Sequence, residues 1–352
     1  MNTNSLTMQL KKHALSHGVD LIGITSAKPF IKRDRTETII DPKELLDDAR
    51  SVIVTAFYMN EVLDVSLIDK DNPRGRFTHA YSIRAYTPMG NLYIEIIKGF
   101  LKKQGYKTVF NKNYRIPDKM AAARGGVGKY GKNSVIITKV YGSYVMFVTL
   151  ITNAPLEHEE YDLNASDCDK CEVCIRSCPT GAIYEPYKVN RSLCITEWLW
   201  GTFIPIPLRE KQENRIFGCG ECVKACPRNK KLISREEYPV KIEDVSTSPE
   251  LIPLVTGNEE YYRKTIASFF MRAGMDAIRG NAIIALGNIG TDRAIDPLCI
   301  TLTHPKLQIR AYSAWSLGKI GGAKVERALE NALKSEVNPK VREEIRYALG
   351  ER

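Results

Sequence analysis

The chain has 352 residues, 43% of them hydrophobic, and a formal net charge of +10. That is the composition of a globular protein long enough for two or three domains, and the positive excess favours an anionic partner such as nucleic acid or an acidic protein. No apolar run approaches a membrane span and the N-terminus has no signal-peptide core, so a cytoplasmic protein with no membrane partner is expected.

Residues 1–17 read as an amphipathic helix with Leu6, Leu10 and Ala14 on one face and Ser5 placed as its N-cap. Leu21 to Ile24 reads as a short strand, and a polar, proline-containing connection follows to about residue 48. Val52 to Tyr58 is β-branched and aromatic, the pattern of a buried strand. Asp64 to Thr78, charged and broken by Pro73 and Gly75, reads as loop. Leu92, Ile96 and Phe100, with their neighbours Tyr93, Ile97 and Leu101, set a helix that Gly105 ends. A strand over Tyr106–Phe110 follows.

Gly125, Gly126, Gly128 and Gly131 lie in a stretch that has neither the spacing of a dinucleotide-binding turn nor a phosphate-loop lysine. Two readings stay open for it. Backbone without side chains can approach a large flat ligand, or the stretch is a plain helix-to-strand loop. Val135–Thr138 and Tyr144–Thr152 then read as a hairpin feeding the next domain.

Eight of the nine cysteines fall between Cys168 and Cys226; only Cys299 lies outside. Cys168-x2-Cys171-x2-Cys174-x3-Cys178-Pro179 is the bacterial ferredoxin pattern, in which the cysteine before the proline ligates the other [4Fe–4S] cluster. Cys219-x2-Cys222-x3-Cys226-Pro227 repeats it with the first cysteine displaced to Cys194. One cubane is therefore expected on Cys168, Cys171, Cys174 and Cys226, and a second on Cys194, Cys219, Cys222 and Cys178. Zinc takes two close pairs, which this run does not offer, and disulfides are not expected without export. Two neighbouring clusters form a one-electron wire, which needs a donor at one end and a redox centre at the other.

In the last third, Arg279, Arg310 and Arg342 recur at spacings of 31 and 32 residues, each opening a stretch that closes on a Leu-Gly pair. A period of this size with two helices per unit is an all-α HEAT-type solenoid, in which the Leu-Gly pair is expected to pack and end the helix. From Arg279 to Arg352 there are 12 basic and 8 acidic residues, a surface suited either to a phosphate backbone or to a protein scaffold. Arg310 reads as a tie between helices.

The order of these parts resembles the epoxyqueuosine reductases. The likeness is carried by Cys168–Ile183, Arg191–Ile195, Asn214–Cys219, Ala123–Asn133 and the repeat at Ile309–Gly321. It implies three domains: a nitroreductase-like α/β cobalamin domain over 1–155, a ferredoxin-like two-cluster domain over 156–235, and HEAT-type repeats over 236–352. It further implies cobalamin reduced through the two clusters, reduction of epoxyqueuosine in tRNA, an anticodon stem-loop partner, an unidentified electron donor and a monomer. Arg84, Gly126, Gly128, Tyr130, Lys132 and Asn133 are the expected cobalamin contacts. Counting back from Gly126 puts Lys112 where the family has its proton-donating aspartate, so Asp118 is the catalytic candidate, with Tyr86 and Tyr130 behind it. The alternatives are a related corrinoid-dependent reductase of another substrate and a two-cluster electron carrier.

Overall fold

The computed structural model describes residues 5–32, 38–59, 69–77, 83–158, 161–163, 166–229, 248–266 and 274–350. Helix α1 (Leu6–Ser16) starts where Ser5 accepts a hydrogen bond from the Met8 amide and buries Leu10 and Ala14. Strand β1 (Leu21–Ser26) follows. The connection read as irregular contains a small hairpin of β2 (Phe30–Lys32) and β3 (Thr38–Ile40). Strand β4 (Ser51–Tyr58) is buried along its whole length. Short strand β5 (Arg76–Phe77) lies in the segment expected to be loop.

Helix α2 (Ile83–Lys103) begins well before Leu92 and runs through Pro88. Strand β6 (Thr108–Phe110), helix α3 (Asp118–Arg124), strands β7 (Lys129–Tyr130) and β8 (Ile136–Ile137), and strand β9 (Val145–Thr152) complete this half. The sheet is antiparallel in the order β1-β4-β9-β6. The expected hairpin of Val135–Thr138 with Tyr144–Thr152 does not form: β8 pairs with β7, and β9 sits between β4 and β6. A buried strand can pair on both edges, and β9 does so.

Alternation along β4 divides the core. Ile53 and Phe57 face α1 and α2, with Tyr93, Ile97 and Leu101. Val52, Val54 and Ala56 face α3, with Ala121, Ala122 and Ala123. The three alanines keep α3 close to the sheet. There a Cβ on Gly23 of β1 would collide with the Gly125 carbonyl oxygen, so a glycine is needed on the strand.

The cysteine-rich part holds α4 (Val173–Arg176), β10 (Ile183–Glu185), β11 (Lys188–Val189), α5 (Ile195–Trp198), α6 (Ile206–Gln212), β12 (Arg215–Phe217) and α7 (Glu221–Lys224). Strand β12 pairs in parallel with β5 of the first third. Helices α8 (Leu251–Thr256) and α9 (Glu259–Thr265) lead into α10 (Met275–Ile289), α11 (Ile295–Thr301), α12 (Leu307–Ile320), α13 (Ala323–Ser335) and α14 (Pro339–Ala348). The boundary expected at 235 lies outside the described residues. One continuous apolar core joins Ile195, Trp198, Ile216 and Phe217 to Ile283, Leu317 and Ile345. Among the described residues no helix is long and apolar enough to cross a membrane.

The repeat arginines are ties. Arg310 forks onto Glu336 at 2.6 and 3.0 Å and reaches the His304 and Pro305 carbonyls. Arg342 holds the carbonyls of Leu333 and Glu336. The third Leu-Gly pair does end its helix, with Leu349 as the C-cap of α14 and Gly350 at positive φ, but Gly287 and Gly318 lie inside α10 and α12. A Cβ on Gly287 would lie 2.8 Å from the Cα of Ser316, and one on Gly318 2.8 Å from the Cα of Ala348. These glycines let successive helices touch; Gly290 and Gly321 supply the ends.

Candidate iron–sulfur and cofactor site

Two one-turn helices, α4 and α7, each present a middle cysteine, Cys174 and Cys222. The loop before α4 is closed by the Cys171 amide donating to the Cys168 carbonyl at 2.7 Å. Cys168, Cys171, Cys174 and Cys226 border one cavity of about 250 Å³, together with Lys132, Asn133 and Arg228. Four thiols around a shared space, contributed by both halves of the cysteine motif, suit a cubane in which each sulfur takes a different iron.

The other four cysteines crowd together. Burial first, and then Cys219, Cys194, Cys174 and Cys178 nearby, push the Cys222 thiol up to about 12. Burial, followed by neighbouring thiols, also raises Cys174. Cys178 goes the other way: burial would raise it, but hydrogen bonds from Thr180, Ile183 and Ala182 bring it below its ordinary value. The Ala182 amide stands 3.2 Å from its sulfur. Thiolates this close repel one another, and bound iron offsets that repulsion because a coordinating thiol is held deprotonated by the metal. Cys174 is close enough to act on Cys222, and α4 packs against α7, so the two sets abut.

Glycine-loop residues meet the cysteine loops directly. Lys132 Nζ donates to the Asp169 carbonyl at 2.8 Å, and Asn133 Nδ2 to the Cys222 carbonyl at 3.2 Å. Both brace cysteine loops. The Tyr130 carbonyl accepts from Ser166 Oγ, whose oxygen also takes the Cys168 amide. Gly128 packs on Ile136 and Ile137, while Gly126, at φ +71°, lies under the ring of Tyr161. Of these positions Gly126 is the one whose neighbour is the far end of a side chain, able to yield to a flat ligand. Arg84 and Tyr86 belong to α2, but their side chains lie outside the described residues.

Asp118 opens α3. Its carboxylate accepts from Thr149 Oγ1 at 2.7 Å and Asn111 Nδ2 at 3.0 Å, yet burial pushes its pKa up to about 6. Lys119 does not pair with it but donates to the Ser134 carbonyl. Burial and Arg191 hold the Lys119 amine below its ordinary value, and Cys222 and Cys194 act on it in the opposite sense. Lys112 is exposed on the loop that Asn111 closes through two bonds to Ile116.

The sequence did not single out the charged clamp behind α7. Glu221 receives Arg215 at 2.6 Å and Arg76 at 3.3 Å, and Glu213 receives both at 2.9 and 3.4 Å. The only hint was the Asn214-Arg215-x-x-Gly218-Cys219 run, and nothing in it announces that Arg76 is its strand partner.

An antiparallel sheet domain, two abutting thiol quartets and a helical-repeat stack sharing their core define a two-cluster iron–sulfur oxidoreductase. Residues 167–229 match the 4Fe–4S double cluster binding domain, and residues 264–350 match HEAT repeats. Epoxyqueuosine reductase of Bacillus subtilis (strain 168) is 31% identical, over 98% of this chain and 95% of that protein. The Escherichia coli (strain K12) enzyme is 28% identical over 84% of each. Two solved structures superpose over 98% of both chains: the B. subtilis epoxyqueuosine reductase with a catalytic loop swung out of its active site (TM-score 0.87, 28% identity), and an epoxyqueuosine reductase with an epoxyqueuosine-modified tRNA-Tyr stem loop (TM-score 0.88, 29% identity). The chain belongs to the epoxyqueuosine reductase family.

Proposed function

We propose that the protein reduces epoxyqueuosine to queuosine in tRNA, using two [4Fe–4S] clusters and cobalamin. The carrying observation is the superposition, over nearly the whole of both chains, on the relative with a modified stem loop. That relative combines with RNA; here the same architecture, a net charge of +10 and a repeat stack fixed against the cluster domain support the same partner.

Removing the epoxide oxygen as water, to leave the ring alkene, takes two electrons and two protons. Cys168, Cys171, Cys174 and Cys226 would hold one cluster, and Cys194, Cys219, Cys222 and Cys178 the other; the pair would supply one-electron transfer from an external donor. Cobalamin, when bound, supplies the cobalt centre that delivers those electrons to the substrate. The domain of residues 1–155 seats it as a nitroreductase-like fold. Gly126 offers its bare backbone and Arg84 a cation, while Lys132 and Asn133 act from the cluster side. Asp118, with a pKa near 6, can hold a proton close to neutral pH. The chain works as a monomer.

The test is anaerobic turnover. Protein loaded with both clusters and cobalamin, given a chemical reductant, converts an epoxyqueuosine-bearing stem loop to the queuosine form by nucleoside mass. Full loading with no conversion would sink the reading. Lys112 favours one rival, a corrinoid-dependent reductase of another substrate, which that outcome would support.

A further inference from the structure

Arg215 is 2% exposed, and its Nε is buried with no hydrogen-bond partner among the described residues. Its terminal nitrogens are committed to Glu221, Glu213 and the Lys211 and Gln212 carbonyls. The residue is thus tied to one ligand loop at two points: it stands four positions before Cys219, and it grips the neighbour of Cys222. The carboxylates that balance it are wetter, with side-chain exposures of 26% for Glu221 and 58% for Glu213. Water screens those negative charges more than it screens the guanidinium.

We infer that Arg215 tunes the cluster held by Cys194, Cys219, Cys222 and Cys178, its buried positive charge stabilising the reduced form. Adding one electron makes a thiolate-ligated cubane more negative, and a fixed buried cation beside its ligand loop favours that state; nearby charge is an established determinant of cluster potential. The role is one of positioning and electrostatics, and the residue takes no part in the chemistry at the substrate.

The inference rests on cluster loading but on neither cobalamin nor RNA, so it can fail while the reductase reading stands. The experiment is a redox titration followed by EPR on anaerobically loaded protein, with iron and sulfide counted. Arg215→Gln lowers the midpoint of one cluster and leaves the other in place. A tenfold loss of its reduced fraction at fixed potential corresponds to about 59 mV for one electron. Arg215→Lys, which keeps the charge, restores most of the shift, whereas a purely structural role would not distinguish the two. Glu221→Gln moves the same midpoint upward. Unchanged potentials in fully loaded Arg215→Gln protein overturn the inference. If that variant does not retain iron, Glu221→Gln decides: an upward shift supports it and no shift overturns it.

Discussion

The guanidinium of Arg209 and the carboxylate of Glu344 meet as a double fork, at 2.7 and 2.6 Å, with both side chains sealed from solvent. Arg209 belongs to α6 of the cysteine-rich part and Glu344 to α14, the last helix of the repeats. Its Nε also donates to the Ile204 carbonyl, and its plane lies over the ring of Tyr312 at 4.8 Å. Removing one partner strands a buried charge. Arg209→Ala or Glu344→Ala should each cost about 3–5 kcal/mol, whereas the paired change Arg209→Met with Glu344→Leu should recover most of that loss. Chemical denaturation of the four proteins checks this, and additive losses would refute it.

Each thiol quartet should be separable from the other. Cys171→Ala is expected to lose the cluster of the first set and Cys222→Ala that of the second, each halving bound iron. Iron analysis and EPR read the loss. Far-UV circular dichroism should stay near that of the parent, because the helices lie mainly outside the cysteine loops.

Asp118 gives a pH signature. Its carboxyl titrates near 3.8 when unfolded and near 6 when folded. Between those values the folded state binds the proton more tightly, so this residue's contribution to stability falls as pH rises through that window and is least above it. Asp118→Asn keeps an acceptor for Thr149 and Asn111 without the buried charge. Its melting temperature should exceed the parent's at about pH 7.5, and the gap should close by about pH 4. A gap that widens on acidification would contradict the assignment.

Gly287 and Gly318 set a small effect against a larger one. Alanine in a helix interior is favoured over glycine by about 1 kcal/mol. Here the added methyl meets the backbone of the next helix at 2.8 Å, and overpacking of this kind costs about 1–3 kcal/mol. Gly287→Ala and Gly318→Ala should therefore destabilise the protein, as thermal melts would show.

The elements with strong local chemistry were legible. Val52–Tyr58, the helix around Tyr93 and the arginine period each carry their own pattern, and the eight-cysteine spacing named its cofactor before any coordinates were needed. What escaped were relations between distant segments. β5 is two residues long and forms only because β12, some 140 positions later, lies beside it. β9 was read as half of a hairpin, since sequence shows a strand's length and not which neighbours it takes. Lys132 and Asn133 were expected as cobalamin contacts and not as braces for cysteine loops, because a hydrogen bond to a remote carbonyl leaves no trace in spacing. The Leu-Gly pairs were expected to pack and to end their helices; Gly287 and Gly318 only pack, and the stop holds at Leu349-Gly350 alone.

The apolar core that runs from Trp198 through Ile283 to Ile345 has a consequence for anyone wishing to dissect the molecule. The repeats cannot be clipped off as an appendage. Severing the chain between them and the cysteine loops would bare greasy surface on both fragments, and a chimera carrying foreign repeats would have to import residues 195–217 with them. Whatever the repeats grip is thereby held at a fixed distance from the iron.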